Sequence, residues 1–210
     1  EEVAEVEKTL KDRHGSVKVA AIGVAGENLV KFSCVISDRN RAAGRPGFGA
    51  VMGSKHLKAI AIEGNKNKEL FNEERFKELK KKFSKDLAED SMMKFFGKYG
   101  TAGDVSRLNE LGILPTKNFQ EGVFEKAEAI NGYTMYDSIL KSRDTCTGCP
   151  VRCKRVVEGD FAGESFEKKY GGAEYETVAA LGSLCMNDNI DAIALANKNF
   201  NSYGLDPIST

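Results

Sequence analysis

Three cysteines within eight residues, Cys146-Thr-Gly-Cys149-Pro-Val-Arg-Cys153, constrain this chain more than any other feature. Thiols at C-x2-C-x3-C spacing converge on one point, and the usual occupant of such a point is a metal ion or an iron–sulfur cluster. Zinc takes four N or S ligands, usually as two close pairs. Three close cysteines and one remote ligand stand nearer to the four-thiolate pattern of a cluster. Unligated thiols are the third reading. Pro150 stiffens the loop and removes one N–H, and Gly148 lets backbone pass near inorganic sulfide. No fourth Cys or His is nearby: His14 and His56 belong to no Cys/His pattern and read as surface or packing residues. Cys34, inside an apolar run, and Cys185, behind Leu181 and Leu184, both read as buried in packing.

The bulk numbers exclude several classes. Lys+Arg and Asp+Glu are both 31 in 210 residues, so no net charge draws the chain to nucleic acid or an anionic membrane. No apolar run approaches the ~18 residues of a membrane span, and the N-terminus is no signal peptide. Five cysteines, odd in number and mostly clustered, argue against a disulfide framework and for a reducing cytoplasm. The chain opens at Glu1 inside a helical pattern and stops at Ile208-Ser209-Thr210 without a closing signal. It reads as a piece of a longer protein, with a fourth thiolate expected beyond its end.

Val3, Val6 and Leu10 repeat at helical spacing, and Gly15 fits the stop. Strands are expected at Val17–Gly23, Val30–Ile36 and Leu57–Glu63, with a turn-rich connection over Gly23–Asn28. Between the second and third lies Arg41-Ala-Ala-Gly44-Arg45-Pro-Gly47-Phe-Gly49-Ala-Val-Met-Gly53-Ser-Lys55. Glycines among cations describe backbone that can approach an anion closely. The spacing is neither a P-loop nor a Rossmann fingerprint, so a tight structural loop and a phosphate cradle both remain open. After residue 64 helices dominate: Glu73–Ala88, amphipathic through Phe76, Leu79, Phe83 and Leu87 with Lys80–Lys82 on its solvated face; Ala102–Leu111; Thr134–Lys141; Glu174–Leu184; and Asn189–Tyr203, closed by Gly204. The expected fold class is α+β, with the end of a β-rich domain at 1–64 and a mainly α-helical domain at 65–210. Glu174 and Glu176 open one helix, where carboxylates gain from the macrodipole whether or not they do chemistry. Asp206, before Pro207, reads on its own as a turn residue.

Taken in order, R-A-A-G-R-x-G-x-G-A-V-M-G-S-K-x-L-K-A-I-A, K-Y-G-T, K-N-F-Q-x-G, C-x2-C-P-x2-C, E-Y-E-x4-L-G and G-L-D-x-I-S-T resemble the aldehyde ferredoxin oxidoreductase family. These are anaerobic enzymes with a tungsten (sometimes molybdenum) bis-pterin cofactor. The resemblance runs from the last part of the family's N-terminal domain through the first half of its helical second domain. It implies that Cys146, Cys149 and Cys153 hold a [4Fe–4S] cluster whose fourth ligand lies downstream. It implies that Arg41, Ala42, Gly44 and Arg45 meet the pterin phosphates and a bridging magnesium, Ala42 through its carbonyl. Glu176 matches the active-site glutamate, Glu174 matches no role, and Asn201, Leu205 and Asp206 match a pterin-binding D-x-x-G-L-D/C motif. Asn201 departs from that motif, because an amide offers one acceptor oxygen where a carboxylate offers two. The implied activity is oxidation of an aldehyde to an acid, with electrons relayed through the cluster to ferredoxin. An aromatic-ring reductase subunit on the same cofactor and a zinc-stapled helical interaction domain are the alternatives. A homo-oligomer is compatible with each.

Overall fold

The computed structural model describes residues 1–66 and 68–209. Helix α1 (Val3–His14) ends where Gly15 takes φ +73° and returns its N–H to the Lys11 carbonyl at 2.8 Å. Its apolar stripe lies on a four-stranded antiparallel sheet of β1 (Lys18–Ile22), β2 (Val35–Ser37), β3 (Arg41–Ala43) and β4 (Ala59–Ile62), in the order β3-β2-β1-β4. Val6 packs with Val17, Val19 and Ala21 beneath it. Between β2 and β3 the chain turns through Asp38-Arg39-Asn40, with positive φ at the first two. Arg39 pairs with the buried Glu7 of α1 at 3.6 Å. That pairing ties down the turn from which β3 starts.

The glycine-rich stretch is structured rather than an open loop. It supplies β3 and then helix α3 (Phe48–Ser54), which packs against the short helix α2 (Val24–Glu27). A Cβ on Gly53 would stand 1.9 Å from the Gly26 carbonyl oxygen, and one on Gly49 2.7 Å from that of Cys34. These glycines let the two helices and the segment just before β2 close up on each other. The connection expected over Gly23–Asn28 therefore contains α2, held by this contact. The second strand is also shorter than its apolar run. Residues 30–34 turn away from the sheet and bond the end of the last helix instead: Ser33 bridges Leu205, and Cys34 N–H donates to Gly204 O at 2.7 Å.

The remaining chain forms helices α4 (Glu73–Glu89), α5 (Ser91–Tyr99), α6 (Asp104–Glu110), α7 (Gly132–Ser138), α8 (Tyr175–Leu181) and α9 (Ile190–Tyr203). Side chains of Asn72, Asp90, Asn131 and Asn189 cap four of them at the N-terminus. Two hairpins interrupt this helical part: β5 (Leu140–Asp144) with β6 (Lys154–Val157), and β7 (Gly159–Phe161) with β8 (Glu164–Phe166). The helix expected over Thr134–Lys141 thus stops at Ser138, because Leu140 begins a strand that pairs with Val157. The helix expected over Glu174–Leu184 ends at Leu181, and a 3-10 turn covers Ser183–Cys185. The main core gathers Val105, Leu114, Ile130, Met135, Phe166, Val178 and Ile193 between α6, α7, α8, α9 and the hairpins.

The periodicity of α4 is real, but its apolar face is not covered: Phe76, Leu79 and Phe83 are all exposed. Cys185 is likewise exposed, not packed. It closes the 3-10 turn just before Met186 enters the left-handed region at φ +57°. Among the described residues no helix is long and apolar enough to cross a membrane.

The contrast between core and α4 is measurable. Ile193→Ala should lose about 2–5 kcal/mol by chemical denaturation, the usual range for truncating a fully buried aliphatic side chain. Phe83→Ala should stay within about 0.5 kcal/mol.

Candidate functional site

Four separated stretches of the chain meet around one cavity of about 680 Å³. β3 and the residues after it supply Arg41, Ala42, Gly44 and Arg45. The ends of β5 and β6 supply Asp144, Cys146 and Arg155. The approach to α8 supplies Glu174 and Glu176, and the end of α9 supplies Asn201 and Asp206. Leu205, Cys149 and Cys153 are expected site residues that do not line it. A volume of this order lies within the 300–1,000 Å³ typical of small-molecule sites.

The cysteines occupy the loop between β5 and β6, whose strands pair Asp144 with Lys154. Gly148 and Arg152 take positive φ, and the Thr145 hydroxyl donates to Cys149 O at 2.7 Å, so the loop curls upon itself. Cys146 is exposed; Cys149 and Cys153 are half-buried; none is in a disulfide. Burial first, then the charges of Glu174 and Cys149, push the Cys153 thiol up. Among the described residues no three His, Cys, Asp or Glu side chains are yet gathered to enclose a metal ion. The donor set itself suits iron–sulfur ligation: three free thiols on one turn-rich loop, at C-x2-C-x3-C spacing. Cys34 and Cys185 do not join them. Cys34 is buried with Val3 and Ile36, where burial and the nearby Asp206 charge push its thiol up to about 12.

Arg41 joins the sheet to this loop. Its Nη2 donates to Asp144 Oδ2 at 2.9 Å and to Thr145 O at 2.8 Å, and its Nη1 stands 3.5 Å from Cys146 Sγ. Its guanidinium is therefore turned towards the cysteines, while Arg45 next to the glycines is exposed. Gly44 fits closely against Asp206 and Cys34: a Cβ there would stand 3.1 Å from Cys34 Sγ and 3.5 Å from Asp206 Cγ. Asp206 is buried, accepts from Ile208 N–H at 3.2 Å and from the Ser209 hydroxyl at 2.5 Å, and donates its own N–H to Phe32 O. Asn201 donates from Nδ2 to Tyr170 O at 3.2 Å. Glu176 is exposed in the first turn of α8.

Two supporting residues are not marked for a site role by the sequence, although one of them stands inside a recognised motif. Arg155 is 2% exposed, its guanidinium bonded to the carbonyls of Gly97, Lys98, Arg152 and Cys153. Its only trace in sequence is an inward position on β6, two residues before the buried Val157. Thr101, in the K-Y-G-T segment, donates its hydroxyl to Glu174 Oε2 at 2.5 Å.

The cavity thus has cations and close-approaching backbone on one wall, carboxylates on another and the free Cys146 thiol at its edge. Residues 78–210 match the family model "Aldehyde ferredoxin oxidoreductase, domains 2 & 3", and residues 1–64 match "Aldehyde ferredoxin oxidoreductase, N-terminal domain". The chain belongs to the aldehyde ferredoxin oxidoreductase family, a family of oxidoreductases. It is 42% identical to the tungsten-containing aldehyde ferredoxin oxidoreductases of Pyrococcus furiosus and Thermococcus kodakarensis, over 99% of this chain and 34% of theirs. An aliphatic sulfonate oxidoreductase, WOR-like subunit, of Pyrococcus furiosus is 30% identical over 100% of this chain and 33% of its own. The chain thus spans about a third of the length of the curated relatives it matches. Among solved structures it shares its fold with the active-site complex BamBC of benzoyl coenzyme A reductase, at TM-score 0.71 and 22% identity, over 98% of this chain and 32% of that one.

The thiols should separate by reactivity. In the metal-free protein, iodoacetamide at pH 8 should label Cys146 and Cys185 and spare Cys34. A Cys34 pKa of about 12 against 9.0 for a free thiol also means that its neutral form stabilises the fold fully below pH 9.0. That contribution is lost as pH rises from there through the folded value, since the unfolded chain deprotonates first. Mass spectrometry of tryptic peptides reads the labelling, and early modification of Cys34 would contradict the buried placement.

Proposed function

We propose that this chain is the part of a tungsten (or molybdenum) bis-pterin oxidoreductase that joins the cofactor cradle to the cluster loop, oxidising aldehydes to carboxylic acids with ferredoxin as acceptor. The observation that carries the proposal is the single cavity shared by the glycine-rich segment, Glu176, Asn201, Asp206 and Cys146. In this reading residues 1–64 end the cofactor-binding N-terminal domain and 65–210 begin the helical one. Bound there, the pterin metal supplies two-electron chemistry, and a [4Fe–4S] cluster supplies a one-electron relay.

Each residue then has a bounded task. The Ala42 carbonyl and the backbone at Gly44 face a phosphate-bearing ligand and its magnesium, with Arg45 as the exposed cation beside them. Arg41 spans from β3 to the cysteine loop, so the cradle and the thiols keep a fixed relation. Asn201, Leu205 and Asp206 orient the pterin from the end of α9. Cys146, Cys149 and Cys153 supply three thiolates. Glu176 takes a proton from the oxygen of water as it adds to the aldehyde carbon, and a carboxylate in that role contributes roughly 10²–10⁴-fold. Oxidation of the resulting hydrate anion to the acid releases a second proton and two electrons, so the balance needs two one-electron equivalents of an acceptor such as ferredoxin.

The 42% identity to aldehyde enzymes favours this substrate class over aromatic-ring reduction, where the likeness is one of fold alone. Metal analysis and EPR on anaerobically prepared full-length protein should find iron and tungsten. Absence of both, or one zinc per chain without visible absorption, would sink the proposal. With an aldehyde panel and an artificial acceptor, turnover should be measurable and Glu176→Gln should lower kcat by roughly 10²–10⁴-fold. An aromatic-ring reductase would turn over none of the panel.

A further inference from the structure

Glu176 is not the only carboxylate in the cavity. Glu174 lines it together with Cys146 and Arg155, and it is half-buried at the N-terminal boundary of α8. Its position is fixed from outside its own helix. Oε2 accepts the Thr101 hydroxyl at 2.5 Å, and the same hydroxyl oxygen accepts the Tyr175 N–H at 2.9 Å. One threonine therefore holds both the carboxylate and the backbone beside it.

Arg41, Lys154 and Arg155 share the cavity with Glu174, and its charge reaches the Arg155 guanidinium. Arg155 is the buried cation nearby, but its guanidinium bonds four carbonyl oxygens, among them Cys153 O at 3.1 Å. No ion pair joins it to Glu174 among the described residues. Glu174 and Cys146 line the same cavity, and Arg155, which lines it with them, bonds the Cys153 carbonyl. In a partly buried site the Glu174 charge acts through a lower effective dielectric than in water.

We propose that Glu174 is a redox-tuning residue, its fixed negative charge holding down the reduction potential of the cluster carried by the cysteine loop. The inference rests on the reading that this loop carries a cluster. Reduction adds an electron to the group beside the carboxylate, and net charge around an iron–sulfur cluster is one of the terms that set its potential. Thr101 acts as the positioning residue that keeps the carboxylate in place.

The test is an EPR-monitored redox titration of the anaerobically prepared holoprotein, with iron content measured on each sample. Glu174→Gln keeps the size and one acceptor oxygen and removes the charge, so the midpoint should move positive. Glu174→Met, a second neutral variant, carries the same expectation. Thr101→Val keeps the charge but frees the carboxylate, so the midpoint should move positive by less than in the neutral variants. An unmoved midpoint in the neutral variants, with the cluster intact, overturns the inference and leaves the cluster reading standing. Equal positive shifts in all three variants assign the effect to loop disorder and overturn it too. Loss of the cluster from both neutral variants makes Glu174 structural, which is again a refutation. Wild-type protein without iron overturns the inference and the cluster reading together.

Discussion

A buried guanidinium holds the end of the cysteine loop to the helical part of the molecule. Moving a cation out of water is costly unless its donors are all met. Arg155 meets its requirement with carbonyls: Lys98 O at 2.6 Å, Gly97 O at 3.0 Å, Arg152 O at 2.9 Å and Cys153 O at 3.1 Å. Two of these belong to the last turn of α5 and two to the end of the cysteine loop. Only a planar fork with several fixed donors can bridge such a set; a lysine ammonium cannot. Burial lowers the Arg155 pKa, and the Glu174 charge works against that fall. The same side chain also explains Gly100, where a Cβ would stand 3.0 Å from Arg155 Cδ. The last turn of α5, β6 and the approach to α8 are thereby locked into one unit, and the cavity is bounded by it.

Much of the secondary structure was legible because it is written locally. Gly15 and Gly204 end α1 and α9 where their sequences say, and Asn189 caps α9. Local pattern fails where a distant partner decides. The run Arg41–Lys55 is rich in glycine, and glycine marks a loop and a tight helix contact equally well. Gly26, more than twenty positions earlier, is what settles Gly53 as part of a packed helix. Likewise the apolar run from Val30 looks like a strand, but its backbone bonds Gly204 and Asp206 at the far end of the chain. Cys185 was read as core from its neighbours Leu181 and Leu184, whereas the 3-10 turn after α8 rotates it out.

The candidate site divides in the same way. Its reactive groups stood out in sequence because cysteine clusters and cations among glycines are unusual combinations. Its supporting groups did not: Arg155 and Asp144 are ordinary residue types in ordinary contexts, and Thr101 stood within the K-Y-G-T motif with nothing to mark it as a site residue. What brings them to the site is a partner 58 to 103 positions away: Arg155 with Gly97, Thr101 with Glu174, Asp144 with Arg41. Arg41 shows both halves at once. Its place beside the glycines made it a candidate phosphate contact, yet its guanidinium is bonded to the cysteine loop.

Asn201 gains a physical reason from its neighbours. At this position the resemblance leads one to expect a carboxylate, which could accept two donors and give none. The side chain instead donates to Tyr170 O at 3.2 Å, a bond that an ionised aspartate could not make and would replace with repulsion between two oxygens. Asn40, from the turn between β2 and β3, donates to Lys169 O at 3.4 Å. Adjacent carbonyls of one turn are thus held by amides from opposite sides, one from the sheet and one from α9. That turn leads through Gly171, Gly172 and Ala173 into Glu174 and α8. The amide at 201 therefore fixes the entry of the segment that carries both cavity glutamates. Exchanging a carboxylate for an amide here gives up one acceptor towards a ligand and gains a brace for the wall that faces it.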